Sequence, residues 1–460
     1  MTQLRSKLTG FLLAFAVLPP VVAQTIQNND KTVLKQIIVF GRHGVRAPTS
    51  TPAQYAQFSP RPYPNFGVST GYLTIHGQQA EVLLGTYFRT YLLTEGLLTG
   101  NAEADLGATY FRANSIQRSN VTATMFGQGL FPGATIPVHS YTLGVPDPVF
   151  DPILAKVATV DPARAALDVQ QVYAGGSALA AAYSAEFSLV RSVLFNYPNG
   201  TEPPPPAPSG VTDAASEPVT LTATAGPLYT GGIVNLGGLQ DTAETAADPF
   251  VMEYAAGLPA ADVAWGALSS DALSQQLRLV TLTLNIEMED PYLDQVQSSN
   301  AAAHVLRSMK QVVSGAAVPG AFSAPGTKVL VVISSDAYVA GLAGLLNAHW
   351  QLPGYQADFC APGGALIFEL RQSPDTGAYL VRVYYTTQSL DQLRNLTPLS
   401  LTAPPETTQL YIPGGSSPGG SFDVDFDTFQ KLVTQAISLQ YVQDPSAETP
   451  PAVLTKVPLE

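Results

Sequence analysis

The chain has 460 residues, with 35 Asp and Glu against 22 Lys and Arg for a formal net charge of −13; 12% of residues are charged and 46% hydrophobic. This excludes a disordered chain, which needs low hydrophobicity with dense charge, and it excludes nucleic acid as a partner, because a phosphate backbone requires a broad basic face. One cysteine, Cys360, excludes an intrachain disulfide and a cysteine-based zinc site, and it reads as a buried small hydrophobe or a stray thiol.

Residues 1–23 read as a secretory signal peptide: Arg5 and Lys7 precede an apolar run at 8–18, and Val21-Val22-Ala23 supplies the small-residue end. The protein is therefore expected to be secreted or periplasmic. No later apolar run is long enough to span a membrane, so no membrane association is expected. Residues 35–40 (KQIIVF) form a short β-branched run ending at Gly41, the pattern of a strand buried on both faces. Helical material follows at 77–95, then a strand at 108–112.

From 144 to 272 the chain reads as a mostly helical insertion. It carries one long helical stretch at 161–197, opened by Asp161-Pro162, and a proline-rich loop at 199–210. A second buried strand is predicted at 328–333 with a helix at 337–349 behind it, then strands at 365–371 and 379–385. Strand, turn and helix with continuous apolar strands is the signature of an α/β protein with a mostly parallel sheet. The organisation expected is a signal peptide (1–23), an α/β domain (24–143 and 273–460) and a helical cap (144–272). Asn120, Asn199 and Asn395 each begin a glycosylation sequon.

The stretch that carries chemistry is Gly41-Arg42-His43-Gly44-Val45-Arg46-Ala47-Pro48, directly after the first strand. Ligands of open α/β sheets bind at the carboxyl ends of strands. Two guanidinium forks flanking a histidine, in a loop bent by glycines, match a phosphate or carboxylate bidentately. The histidine then faces the bound anion as a candidate nucleophile on phosphorus.

This octet resembles the RHGxRxP signature of the histidine acid phosphatases, most closely the phytase and glucose-1-phosphatase branch. The resemblance extends along the chain. Leu73-Thr74-Ile75-His76-Gly77 with Leu84-Gly85 and Arg89 resembles the family's LTxxG helix start, and 111–119 with Phe131-Pro132 its second arginine segment. Residues 249–254 through Trp265-Gly266 resemble a long helix ending in WG, and 329–369 the region holding the HD motif and a P-G-G turn. The resemblance implies a phosphoglycerate-mutase-like fold, a phosphate monoester as the small-molecule partner and no cofactor or metal. It implies that His43 attacks phosphorus, that Arg42, Arg46 and Arg118 clamp the phosphate, and that Asp336 is the general acid.

One departure stands out. Where the family has His-Asp-Thr/Ser-Asn, this chain has Ser335-Asp336-Ala337-Tyr338. Ser335 takes the phosphate-contacting position and carries no charge, so a catalytically weakened or inactive phosphate-ester-binding protein stays open beside the acid phosphomonoesterase. Export argues against mutase or transferase chemistry. His76, His139, His304 and His349 read as structural, and Glu287, Glu289 and Asp290 as a solvated helix end. Residues 144–272 hold only Lys156, Arg164 and Arg191 as basic residues, which favours a lightly charged monoester over phytate.

Overall fold

The run at 35–40 folds as β1, Val33–Arg42, buried without a break from Gln36 onward. Side chains alternate across a strand, and here both faces are covered. Ile37 and Val39 join an apolar cluster on one side of the sheet; Ile38 and Phe40 join another on the opposite side. The structure, a computed structural model, describes residues 31–223, 234–417, 421–454 and 457. The expected signal peptide at 1–23 lies outside them.

The remaining strands are β2 (Thr109–Ala113), β3 (Val138–Ser140), β4 (Thr220–Ala223), β5 (Val234–Gly237), β6 (Val329–Ser334), β7 (Ala365–Gln372), β8 (Tyr379–Thr387), β9 (Glu406–Gln409), β10 (Val424–Asp425) and β11 (Ala452–Val453). The large sheet runs β10-β8-β7-β1-β6-β2-β3-β11, with β9 on β8. Its centre is parallel, through β1 with β6, β6 with β2 and β2 with β3. The antiparallel strands β7 and β8 extend it on the far side of β1. This is an α/β fold with helices on both faces.

Register places the chemistry. Gly41 pairs with Ile333 and Arg42 with Ser334, so the loops after β1 and β6 leave the sheet side by side. The His43 amide donates to Ser334 O at 2.9 Å, and the Asn114 amide after β2 donates to Ile333 O at 2.9 Å.

On one face the helices Ile75–Thr94 and Gln117–Leu130 cross with their backbones almost touching. A Cβ built on Gly85 would lie 2.0 Å from Phe126 O, and one on Gly129 would lie 2.2 Å from Val82 O. No backbone atom can move aside cheaply, so Gly85→Ala is expected to cost about 1–3 kcal/mol by overpacking. A denaturant midpoint equal to that of the wild type would contradict this packing.

The other face is covered by the helices Ser270–Met288, Pro291–Ser314 and Asp336–Leu345. The single helical stretch expected at 161–197 is three helices: Pro162–Tyr173, Gly176–Ala182 and Ser184–Phe195. Ala174 and Gly175 break it at φ of 56° and 96°, and a Cβ on Gly176 would sit 1.6 Å from Val219 O. Apolar composition alone does not register that contact. The antiparallel pair of β4 and β5 falls within 144–272 and was not predicted; a π-helical turn, Asp241–Ala247, then leads into the helix Asp248–Ala255. Among the described residues no single helix is long and apolar enough to cross a membrane.

Candidate active site

His43 leaves β1 with its side chain buried, and its Nδ1 lies 2.9 Å from Gly44 O. A carbonyl only accepts, so Nδ1 must carry the proton, which leaves the Nε2 lone pair available. Burial, then the charges of Arg118, Arg42 and Arg46, hold the imidazole well below its usual pKa, against the Gly44 contact. Its neutral form is therefore favoured.

The glycines around it are dictated by space. A Cβ on Gly44 would meet Glu81 Oε1 at 2.5 Å, and one on Gly363, already at φ 72°, would meet the same atom at 2.6 Å. The Gly44 amide donates to Thr122 Oγ1 at 3.0 Å, and the Gly363 amide to His43 O at 3.0 Å. The P-G-G stretch thus backs the histidine loop, with Glu81 wedged behind both. Burial pushes the Glu81 carboxyl up to about 8, so it is neutral in acid. Sequence reasoning missed this residue, which lies between Gly77 and Leu84 of the helix-start motif but is not one of its marked positions.

The sequence-predicted arginines converge here. Arg42, 1% exposed, donates from Nη1 to Cys360 O at 2.6 Å, and its Nη2 pairs with Asp336 Oδ2 at 2.8 Å. Arg46 Nη2 pairs with Asp248 Oδ2 at 2.8 Å. Burial opposes the Arg46 charge, but Asp248 and then Asp336 more than restore it, leaving its pKa raised. Arg118, at the start of the helix Gln117–Leu130, is half-buried and adds its charge at His43.

Asp336 opens the helix behind β6; its side chain is 23% exposed, and Oδ1 accepts from the Ala337 amide at 3.0 Å. Ser335, beside it, is buried. Tyr338 donates its hydroxyl to Asp151 Oδ1 at 2.6 Å. His43, Arg42, Arg46, Arg118, Ser335 and Asp336 therefore meet at the ends of β1 and β6 and the start of one neighbouring helix. The arrangement can receive a tetrahedral oxyanion, present a nitrogen lone pair to its central atom and offer a carboxyl to a departing oxygen.

Sequence reasoning missed the carboxylates that hold the clamp. Asp248 lies 2.8 Å from Arg46 and 3.9 Å from Arg42, and the signal for it was a general one: two buried arginines require a counter-charge. Glu244, in the π-helical turn, is pushed up to about 8 by burial and by Asp336 and Asp248, against Arg46 and Arg42. The expectation of a solvated end at 287–290 is corrected: Glu287 and Asp290 are 3% and 1% exposed. Glu287 accepts from Gln240 Nε2 at 2.5 Å, and Asp290 caps the helix Pro291–Ser314.

The remaining histidines have partners elsewhere. His76 Nε2 lies 2.7 Å from Leu393 O, His139 stacks on Tyr110, and His349 pairs with Asp358 at 3.0 Å. His304 is buried and driven down to about 3, first by burial and then by Arg112. Asn120 is wholly buried, with Nδ2 donating to Asn114 O and Ile116 O, so its sequon is inaccessible in the folded chain. No group of three or more His, Cys, Asp or Glu suited to a metal ion occurs among the described residues.

Buried carboxyls make a pH prediction. Burial pushes Glu81, Glu253 and Glu289 each up to about 8, so the folded state keeps protons that the unfolded chain releases above its ordinary value of 4.5. Their contribution to stability is complete below the unfolded pKa and is lost as pH rises toward the folded one. His43 and His304, both lowered, act oppositely below their unfolded value of 6.5, but the raised carboxyls outnumber them. Thermal melts are expected to show Tm falling from about pH 5 to about pH 8; a rising Tm would contradict the burial of these groups.

Comparisons with known proteins fit this geometry. A family model described as the histidine phosphatase superfamily (branch 2) matches residues 33–172, which include the loop after β1 and Arg118. The chain is 27% identical over 442 residues to the glucose-1-phosphatase of Salmonella typhimurium, covering 94% of this chain and 100% of that protein. It is 26% identical over 432 residues to the phytase AppA of Escherichia coli, covering 89% and 93%. Hafnia alvei phytase in complex with tartrate superposes with a TM-score of 0.79 at 27% identity, over 90% of this chain and 99% of that one. The octet of β1 thus lies in a segment that matches the histidine phosphatase superfamily (branch 2), and the fold over most of the chain is similar to that of a phytase structure.

Proposed function

We propose that the protein is an acid phosphomonoesterase, exported to the periplasm or medium, that works through a phosphohistidine on His43. The carrying observation is the buried His43 imidazole, with Nδ1 on Gly44 O, set among three guanidinium groups and one strand away from Asp336. Nε2 donates its lone pair to phosphorus and the ester P–O bond breaks. Asp336, protonated, gives its proton to the departing oxygen. Arg42, Arg46 and Arg118 balance the equatorial oxygens. The Asp336 carboxylate then takes a proton from water, which attacks phosphorus; the N–P bond breaks and inorganic phosphate leaves.

The ion pair between Asp336 and Arg42 supports this sequence. An arriving phosphate competes for Arg42 Nη2 and releases the Asp336 carboxyl from its ion pair. The binding-only reading rests on Ser335 alone and finds no support among relatives whose names are those of phosphatases. Asn199 and Asn395 are exposed and remain the sequons open to a glycan in a host that attaches one.

The test is phosphate release from p-nitrophenyl phosphate between about pH 3 and about pH 6, where a carboxylic acid can donate. Ser335→His is expected to raise kcat by up to about 10²-fold, the scale of one transition-state donor. An unchanged rate would mean that another group already fills that place.

A further inference from the structure

A cavity of about 390 Å³ opens directly beside the phosphate-binding loop, with Ala47 and Pro48 of that loop in its wall. Its other walls are the rings of Tyr55, Tyr63 and Phe66, prolines and small side chains; among the described residues Arg61 is the one charged side chain that lines it. The volume falls within the range of small-molecule sites, about 300–1,000 Å³.

The aromatic wall is fixed from behind. Tyr55 and Tyr63 have ring centroids 4.4 Å apart. Tyr63 also stacks on Phe250 at 5.9 Å, meets Trp265 edge-on at 4.9 Å and donates its hydroxyl to Ala246 O at 2.9 Å. Arg61 lies over Trp265, 4.2 Å from the ring centroid, and donates to Asn196 Oδ1 at 3.2 Å and to Val193 O. That guanidinium is committed to the protein.

Tyr55 joins the cavity to the clamp, since its hydroxyl feels the charges of both Arg46 and Asp248. Asp248 pairs with Arg46, and Glu244, pushed up to about 8, is uncharged in acid, so neither adds positive charge beyond the clamp. A substrate with further phosphates would meet carboxyl groups and one engaged arginine. A planar apolar group would meet aromatic faces that lose little entropy on contact.

We propose that the Tyr55–Tyr63–Phe66 cavity is the leaving-group subsite and that it takes a planar aromatic group bearing a single phosphate ester. This rests on the phosphomonoesterase reading, and the test separates the two. Binding of 1-naphthylmethylphosphonate and methylphosphonate, which cannot be hydrolysed, is measured by titration calorimetry on the whole protein, beside turnover of 1-naphthyl and phenyl phosphate. The naphthyl phosphonate is expected to bind at least about tenfold tighter, and 1-naphthyl phosphate to show a lower KM than phenyl phosphate. Ala56→Trp, an exposed position in the cavity wall, is expected to bring both ratios close to one. Equal binding of the two phosphonates, ratios that survive Ala56→Trp, or a preference for inositol hexakisphosphate over phenyl phosphate would overturn the subsite. Tight naphthyl binding without any turnover would uphold the subsite and sink the hydrolase reading instead.

Discussion

His43→Ala is expected to reduce phosphate release on the order of 10⁵-fold or more, because removing a nucleophile removes the covalent route as a whole. The fold should survive. The imidazole makes its one named hydrogen bond to the neighbouring Gly44 carbonyl, while the loop is anchored through backbone bonds from His43 and Gly363 that alanine retains. A melting curve close to that of the wild type together with lost activity is the expected pair of results. Retention of more than a few per cent of activity would remove His43 from the reaction.

Asp336→Asn is expected to split substrates by their leaving groups. For an alkyl phosphate, whose alkoxide must be protonated as it departs, kcat should fall about 10²–10⁴-fold. For p-nitrophenyl phosphate, whose leaving group departs as an anion, the first step should suffer far less, and the remaining loss reports the base role in the second step. KM should drop as well. Asn carries no charge, so Arg42 Nη2, which now holds Asp336 at 2.8 Å, becomes available to phosphate. Equal losses for both substrates with unchanged KM would show that Asp336 neither donates the proton nor competes for the clamp.

The readable parts of the molecule are those where one stretch of sequence carries its own physics. β1 and β6 are apolar without alternation because both faces are covered, and that makes them visible and places the loops that follow them. The loop of Arg42, His43 and Arg46 is visible because its residue types are costly to gather for any purpose other than holding an anion. What stayed hidden depends on chain meeting distant chain. Asp248 reaches Arg46 from 202 residues away, and nothing near Asp248 marks it as a partner. Glu81 is wedged against Gly44 and Gly363 by packing alone.

Glu287 was misread because a charged residue near a helix end is usually solvated, whereas this one is buried against Gln240 and senses Glu244 and Asp336. Cys360 shows the converse: its side chain is a buried filler, as expected, while its carbonyl oxygen is what fixes Arg42. The cavity beside the loop was equally hidden, because its rings come from a proline-rich stretch that reads locally as a connecting loop. The acidic excess is also more than a surface property. Part of it lies in buried carboxyls around the clamp, which keep the protonated folded state favoured in acid.

The most direct measurement is to mix the enzyme with p-nitrophenyl phosphate, quench with base on the millisecond scale to preserve phosphoramidate, and map the modified residue by peptide mass spectrometry. One phosphoryl group on His43, absent in His43→Ala and accumulating in Asp336→Asn, is the result that the account requires. Steady phosphate release with His43 unmodified at every quench time would contradict it.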